Sequence, residues 1–255
     1  MKRNRPLWRV TVPTLVIIAC FALVTAVSAG TGDDNGLSNP EVGVEWVTEY
    51  FWPSQNLPST DDCALGFYNT LGNTGWTQKF NKGTGTVAVD QWVADGSDSS
   101  YVDGADIVMF VGHGANNLIK LATDPLRWVY FDCCEWGDYD LEWTLLHSCH
   151  TTQIPGNFKS NKRWALNSAH LICGFDTEAY DYAEDGASCA QKLLNGYKVR
   201  LAWYTAIDET HSSGVRVGIV GENSDCGNDR IWGEGSVIAD PVVDREIYRW
   251  LYTCS

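Results

Sequence analysis

Two apolar runs, each ending on a reactive side chain, constrain the fold of this chain more than any other feature. Asp106-Ile107-Val108-Met109-Phe110-Val111 leads into Gly112-His113-Gly114, and Leu141-Glu142-Trp143-Thr144-Leu145-Leu146 leads into His147-Ser148-Cys149-His150-Thr151. Short apolar runs bounded by turn residues read as strands buried on both faces, the kind found in parallel sheets. Side chains at the carboxyl ends of neighbouring parallel strands converge on one crevice. The expectation is an α/β chain whose central, mainly parallel sheet is flanked by helices, with His113 and Cys149 meeting at one edge.

Those two residue types have a shared chemistry. A free thiol is only slightly ionised at neutral pH, so a nucleophilic cysteine needs a neighbouring imidazole. Cys149 is the candidate nucleophile and His113 the candidate general base and acid. The glycines flanking His113 allow a sharp turn and a close approach of backbone to substrate, and the amides of Gly114 and Cys149 are candidate oxyanion donors. A second run, Leu126 to Asp132, also reads as a strand and ends in Cys133-Cys134, which makes Cys134 the alternative nucleophile.

A strand ending in His-Gly, followed by a strand ending in a small residue and Cys, resembles the caspase-like cysteine peptidases, the group of caspases, legumains, gingipains and clostripain. A wider set of stretches resembles the family called domain of unknown function 6345. These are Tyr101-Val102-Asp103 through Gly112-His113-Gly114, Asp140-Leu141-Glu142-Trp143 through Cys149, and His170-Leu171-Ile172-Cys173-Gly174-Phe175. The resemblance spans about Glu41 to Pro241. It favours Cys149 over Cys134, because the Asp140 to Trp143 run lies before Cys149 and Ser148 is the small neighbour. It implies a three-layer caspase-like fold, hydrolysis of peptide bonds in a peptide or protein substrate, and no metal or organic cofactor. It also makes Asp176 and Glu178, beyond the Ala169 to Phe175 strand, candidate carboxylates for a basic substrate side chain. Trp203, in an apolar and aromatic helix from Val199 to Ile207, is a candidate to lie beneath that pocket or, equally, an ordinary core residue. The alternative is a catalytically silent cell-surface binding module on the same scaffold. Twelve tryptophans and eleven tyrosines would suit such a module if several shared one exposed face. Trp46, Trp128 and Trp143 instead sit in strand patterns that predict burial.

The chain opens with basic residues, then an apolar run from Val10 to Ala26 closed by Val27-Ser28-Ala29. That is a secretory leader pattern, so residues 1–29 are expected to be a signal peptide or an N-terminal anchor, and the protein exported to the exterior or the cell surface. Membrane contact would run only through an uncleaved leader. Cys20, in Ile17-Ile18-Ala19-Cys20, loosely fits lipoprotein cleavage, but the apolar residues after it argue against that. Residues 30–40 read as a flexible lead and 41–255 as one domain. The formal charge of −14 disfavours nucleic acid and anionic membrane surfaces as partners. Oligomeric state is not legible in the sequence.

Beyond the leader stand Cys63, Cys133, Cys134, Cys149, Cys173, Cys189, Cys226 and Cys254. In an exported protein such cysteines can form disulfides. If Cys149 is free, at least one other is unpaired, with Cys173 the buried candidate. A metal site from His113, His147, Cys149 and a carboxylate lacks a second spaced ligand pair. His170 reads as a hydrogen-bonded core or strand-edge residue and His211 as a loop residue. The remaining pattern predicts a strand over Val42 to Val47, a helix from Thr60 ending at Gly72, a helix over Gly186 to Leu194, a strand over Val215 to Val220 and a terminal helix from Asp244 to Tyr252. Pro155 to Lys162 reads as a surface loop near the mouth of the site.

Overall fold

The computed structural model describes residues 39–121, 127–154, 162–244 and 246–255. The leader, most of the flexible lead and most of the Pro155 to Lys162 loop lie outside them. Seven strands form one sheet: β1 (Glu41–Trp46), β2 (Thr77–Lys82), β3 (Ile107–Val111), β7 (Trp143–His147), β8 (Leu171–Phe175), β9 (Arg216–Gly221) and β10 (Tyr248–Thr253). Their order is β10-β9-β8-β7-β3-β1-β2. From β2 to β8 every pairing is parallel, whereas β9 and β10 add antiparallel pairings at one side. A smaller antiparallel sheet joins β4 (Gly114–Ala115), β5 (Leu118–Lys120) and β6 (Trp128–Tyr130).

Side chains alternate across a strand, and here the alternation divides the core in two. Ile107, Met109 and Val111 of β3 and Trp143 and Leu145 of β7 face α1 (Thr60–Gly72), α3 (Glu184–Leu194) and α4 (Val199–Asp208). Val108, Phe110 and Leu146 face the opposite layer with Trp92, Val129, Phe131 and Trp136. That second layer is built from short 3₁₀ turns, the small sheet and the four-residue α2 (Lys162–Ala165), so helices dominate only one face. The molecule is three-layered, with a mainly parallel sheet between.

Helix α1 follows its sequence closely: Thr60, Cys63, Ala64, Phe67 and Leu71 are buried at helical spacing. Acidic Asp61 and Asp62 occupy its first turn, where the helix dipole favours negative charge. It crosses α3 at Gly66 and Gly186. A Cβ on Gly186 would stand 1.9 Å from the Cys63 carbonyl oxygen, so the two backbones touch there.

Three features depart from the sequence pattern. The terminal segment is not a helix: Tyr248–Thr253 is strand β10, hydrogen-bonded to β9, because Tyr248, Trp250 and Tyr252 alternate with its other residues at period two. β2, Thr-Gln-Lys-Phe-Asn-Lys, carries no apolar signature because it is an edge strand burying only Phe80 fully. Finally, all eight cysteines among the described residues are free thiols, six of them buried in place of bridged. A small hydrophobe is what most of these positions require. Trp143 is fully buried as expected, while Trp46 and Trp128 are half-buried.

Candidate active site

The register of the sheet brings the two candidate residues together. Val111 of β3 pairs with His147 of β7, and His113 and Cys149 each follow two residues later. Both line one cavity of about 60 Å³ at the carboxyl edge, with Leu57, Thr60, Ala179, Tyr180 and Asp181. A Cβ on Gly114 would stand 2.7 Å from Ser148 Cβ and 2.8 Å from Thr151 Cγ2, so no larger residue fits where the His113 loop meets the Cys149 loop. After Cys149 the chain leaves the strand through His150, whose φ of 57° is left-handed. A non-glycine residue is held there by local hydrogen bonds. Its amide donates to the Thr177 carbonyl (2.9 Å) and its Nδ1 lies 3.3 Å from the Asp176 carbonyl oxygen.

His113 is held on three sides. Its Nε2 donates to the Gln55 carbonyl oxygen (2.8 Å), its amide donates to the Tyr50 hydroxyl (2.7 Å), and its ring packs on Tyr50 at 4.6 Å. Since a carbonyl only accepts, Nε2 carries the proton and Nδ1 keeps the lone pair of the neutral ring. Burial pushes the imidazole below its usual pKa; the Gln55 carbonyl opposes that shift and Lys120 adds to it. Cys149 lies against the loop after β8. The Ala179 amide donates to Sγ at 3.3 Å and the thiol points back at the Ala179 carbonyl at 3.7 Å. Burial raises this thiol above its ordinary pKa, opposed by the Ala179 amide and reinforced by the charge of Glu178. Base and thiol are thus both held neutral near pH 7.

The two candidate oxyanion amides differ in their surroundings. The Lys120 amide donates to the His113 carbonyl (2.8 Å), so Gly114 and Ile119 form a non-hydrogen-bonded antiparallel pair. The Gly114 amide therefore faces away from β5. The Cys149 amide sits at the turn itself, beside its own sulfur.

The remaining candidate residues fall elsewhere, for physical reasons. Cys134 is buried in the second layer beside Phe131 and Trp136, its thiol directed at the Tyr130 carbonyl, because the strand before it belongs to the small antiparallel sheet. Asp176 is buried and paired with Arg216 (2.6 Å) and Arg249, so its carboxylate is taken. Trp203 is fully buried in the helix-side core, donating to the Gly174 carbonyl (3.2 Å) and packed 6.1 Å from His147, and it does not line the cavity. Glu178 alone of the three is exposed, in a separate, wider cleft of about 430 Å³ with His150, Tyr180 and Ser212 to Val215. His170 is the core residue expected, 2.5 Å from Asp229.

His211 is the loop residue expected, on the bend after α4, but it is buried. It belongs to a cluster with His147 and Asp185 whose ligand-type atoms lie within 4.8 Å of one another. The Tyr180 amide donates to His211 Nε2 (3.2 Å), which places the ring proton on Nδ1, the nitrogen facing Asp185. A protonated nitrogen offers no lone pair, so the cluster reads as a hydrogen-bond network and not as a metal centre. Glu41, Asp106 and Asp140 gather beyond the amino ends of the strands. There Lys79 pairs with Glu41, and burial pushes Asp106 up to about 8. The Gln55 carbonyl, the Ala179 amide and the His211 network escaped the sequence because backbone groups and long-range pairs leave no residue pattern.

Among solved structures, a caspase-1 from Spodoptera frugiperda is similar at 10% identity and TM-score 0.45, over 69% of this chain and 78% of that one. A secreted C11 cysteine protease from Bacteroides thetaiotaomicron, called iotapain, is similar at 10% identity and TM-score 0.46, over 72% of this chain and 66% of that one. No curated protein matches. No helix among the described residues is long and apolar enough to cross a membrane. Residues 44–253 match the family model described as Domain of unknown function (DUF6345), and the chain belongs to that family.

Proposed function

We propose that this protein is an exported cysteine peptidase with Cys149 as nucleophile and His113 as general base and acid. The observation that carries the reading is the convergence of both side chains on one cavity, with the second nitrogen of His113 occupied by the Gln55 carbonyl and an amide on the sulfur. A base whose proton is fixed on Nε2 has Nδ1 ready to accept. In the reaction, the Cys149 thiol proton passes to His113 Nδ1 as sulfur attacks the peptide carbonyl. The oxyanion is met by the amides of Gly114 and Cys149. His113 then returns its proton to the leaving amine, the C–N bond breaks, and a thioester remains. Water, deprotonated by the same nitrogen, releases the acid and restores the thiol. No step calls for a metal or organic cofactor. The substrate is a peptide or protein, and Glu178, exposed in the neighbouring cleft, is the carboxylate that would meet a basic side chain.

A second reading has one observation behind it. Burial and Glu178 both raise the Cys149 thiol, as expected of a silent scaffold that binds without turnover. Labelling of the purified protein with iodoacetamide at pH 8, mapped by peptide mass, separates the two. Free glutathione serves as the ordinary thiol, and the exposed Cys133, raised by partial burial and by Asp132 and Asp95, as the internal slow reference. The peptidase reading expects Cys149 to react faster than glutathione, His113→Ala to slow it at least tenfold, and a peptide library to be cleaved. A Cys149 no faster than glutathione, with no peptide cleaved, leaves the binding module.

A further inference from the structure

The loop that carries the Ala179 amide has an anchor of its own, and that anchor is an imidazole. Tyr180 follows Ala179 directly, and its amide donates to His211 Nε2 at 3.2 Å. His211 sits on the turn after α4, with its side chain fully buried. Its ring is packed by Tyr182 at 4.9 Å and by Phe175 at 5.4 Å. The protons of the network are fixed one by one. With Nε2 accepting, Nδ1 carries the hydrogen and lies 3.0 Å from Thr210 Oγ1. That hydroxyl gives its own hydrogen to Asp185 Oδ1 at 2.5 Å, and Asp185 Oδ2 takes a hydrogen from His147 Nε2 at 2.7 Å. The end of β7, the first turn of α3, the turn after α4 and the loop after β8 are thereby tied together beneath Cys149.

We propose that His211 is a positioning residue for Cys149: by accepting the Tyr180 amide hydrogen it holds the Ala179 amide against the sulfur, and protonation of its Nε2 releases the loop. An imidazolium has no lone pair, so its Nε2–H would meet the Tyr180 N–H donor to donor. The loop must then move, and the Ala179 hydrogen bond to the sulfur goes with it. The groups facing the His211 ring are Asp185 from α3, His147 from β7, and the phenols of Tyr180 and Tyr182 from the loop. Burial lowers the His211 pKa and His147 adds to that, while Asp185 and the backbones of Ile207 and Tyr180 oppose it; the balance leaves the switch on the acid side of the usual histidine value. The ring is therefore neutral and the loop held at neutral pH, and the hold is lost as the pH falls through that lowered value.

This inference rests on Cys149 being the reactive thiol, but its test does not need turnover. The rate of iodoacetamide labelling at Cys149 is followed from pH 5 to pH 8.5 in the wild type, His211→Gln and His211→Leu, with Cys133 as reference and circular dichroism as the check on fold. Glutamine can accept from the Tyr180 amide and donate to Thr210 without titrating. His211→Gln should label within about twofold of wild type at pH 8 and lose one protonation step from the acid limb that His113 retains. His211→Leu, which cannot accept, should label about tenfold more slowly at pH 8, the scale of one lost hydrogen bond to a charged group. Equal labelling of His211→Leu and wild type at pH 8 overturns the positioning role. An acid limb in His211→Gln identical to wild type overturns the switch. If Cys149 labels with these dependences and no peptide is cleaved, the peptidase reading fails and this one stands.

Discussion

At the scale of single residues, the site depends on atoms that stop the pair from ionising too early and on one residue that cannot grow. Glu178 is exposed and lies near enough to Cys149 for its charge to raise the thiol. Removing that charge while keeping the shape, in Glu178→Gln, should speed iodoacetamide labelling of Cys149 about two- to threefold at pH 7.5, an effect that 1 M salt erases in the wild type by screening. An unchanged rate would place the carboxylate too far away to matter. Gly114 is the second case. Its missing Cβ is what lets the loop of His113 approach Ser148 and Thr151, so Gly114→Ala should fold with a loss of about 1–3 kcal/mol and label Cys149 poorly. Retention of both wild-type stability and labelling would mean the loops have slack. The sequence supplied His113, Cys149 and Gly114 because each is a chemically distinctive residue at a strand end. It could not supply the Gln55 carbonyl, since every residue has one.

At the scale of elements, local patterning and tertiary pairing contribute unequally. α1 was legible because its buried residues recur at helical spacing and Gly72 ends it. α3 and α4 followed for the same reason. The carboxy-terminal strand was not legible: Tyr248, Trp250 and Tyr252 alternate at period two, but over six residues with Tyr248 exposed that pattern is weak, and hydrogen bonding to β9 completes it. The contact of α1 with α3 was also invisible, because it depends on Gly186 being opposite the Cys63 carbonyl, residues far apart in the chain. A methyl group there must push the helices apart. Gly186→Ala should therefore cost about 2–3 kcal/mol in urea unfolding, although alanine is the better helix former. A gain in stability would show that the helices separate freely.

At the scale of the whole molecule, the cysteines and the buried carboxylates set how the protein responds to its surroundings. All eight described cysteines are free, so Tm should be the same with and without dithiothreitol; a fall of several degrees under reduction would reveal bridges the fold does not contain. Glu45, fully buried with only the Trp92 indole donating to it at 2.6 Å, is pushed by burial up to about 8, as is Asp106. His170 is raised as well, because Asp229 and Asp240 outweigh its burial. A group whose folded pKa is raised contributes stability in full below its unfolded pKa and loses it as the pH rises through the folded value. Glu45 and Asp106 therefore weaken the fold progressively from the ordinary carboxyl range near pH 4 up to about 8, and His170 does so above its ordinary value, while the lowered values of His113 and His211 weaken it on the way to pH 5. Tm should fall as the pH rises from about 6.5 to about 8, where Glu45, Asp106 and His170 all lose stability together, and Glu45→Gln should lessen that fall. A Tm constant from pH 6 to 9 would contradict this. The sequence by itself determined the parallel-strand core and the placing of His113 and Cys149, the candidate pair, at its carboxyl edge, because apolar runs and chemically special residues are local signals. Tertiary structure alone decided which carboxylate stayed available, which cysteines were core, and which backbone groups hold His113 and Cys149. Those depend on contacts between residues far apart in the chain, which no local pattern records.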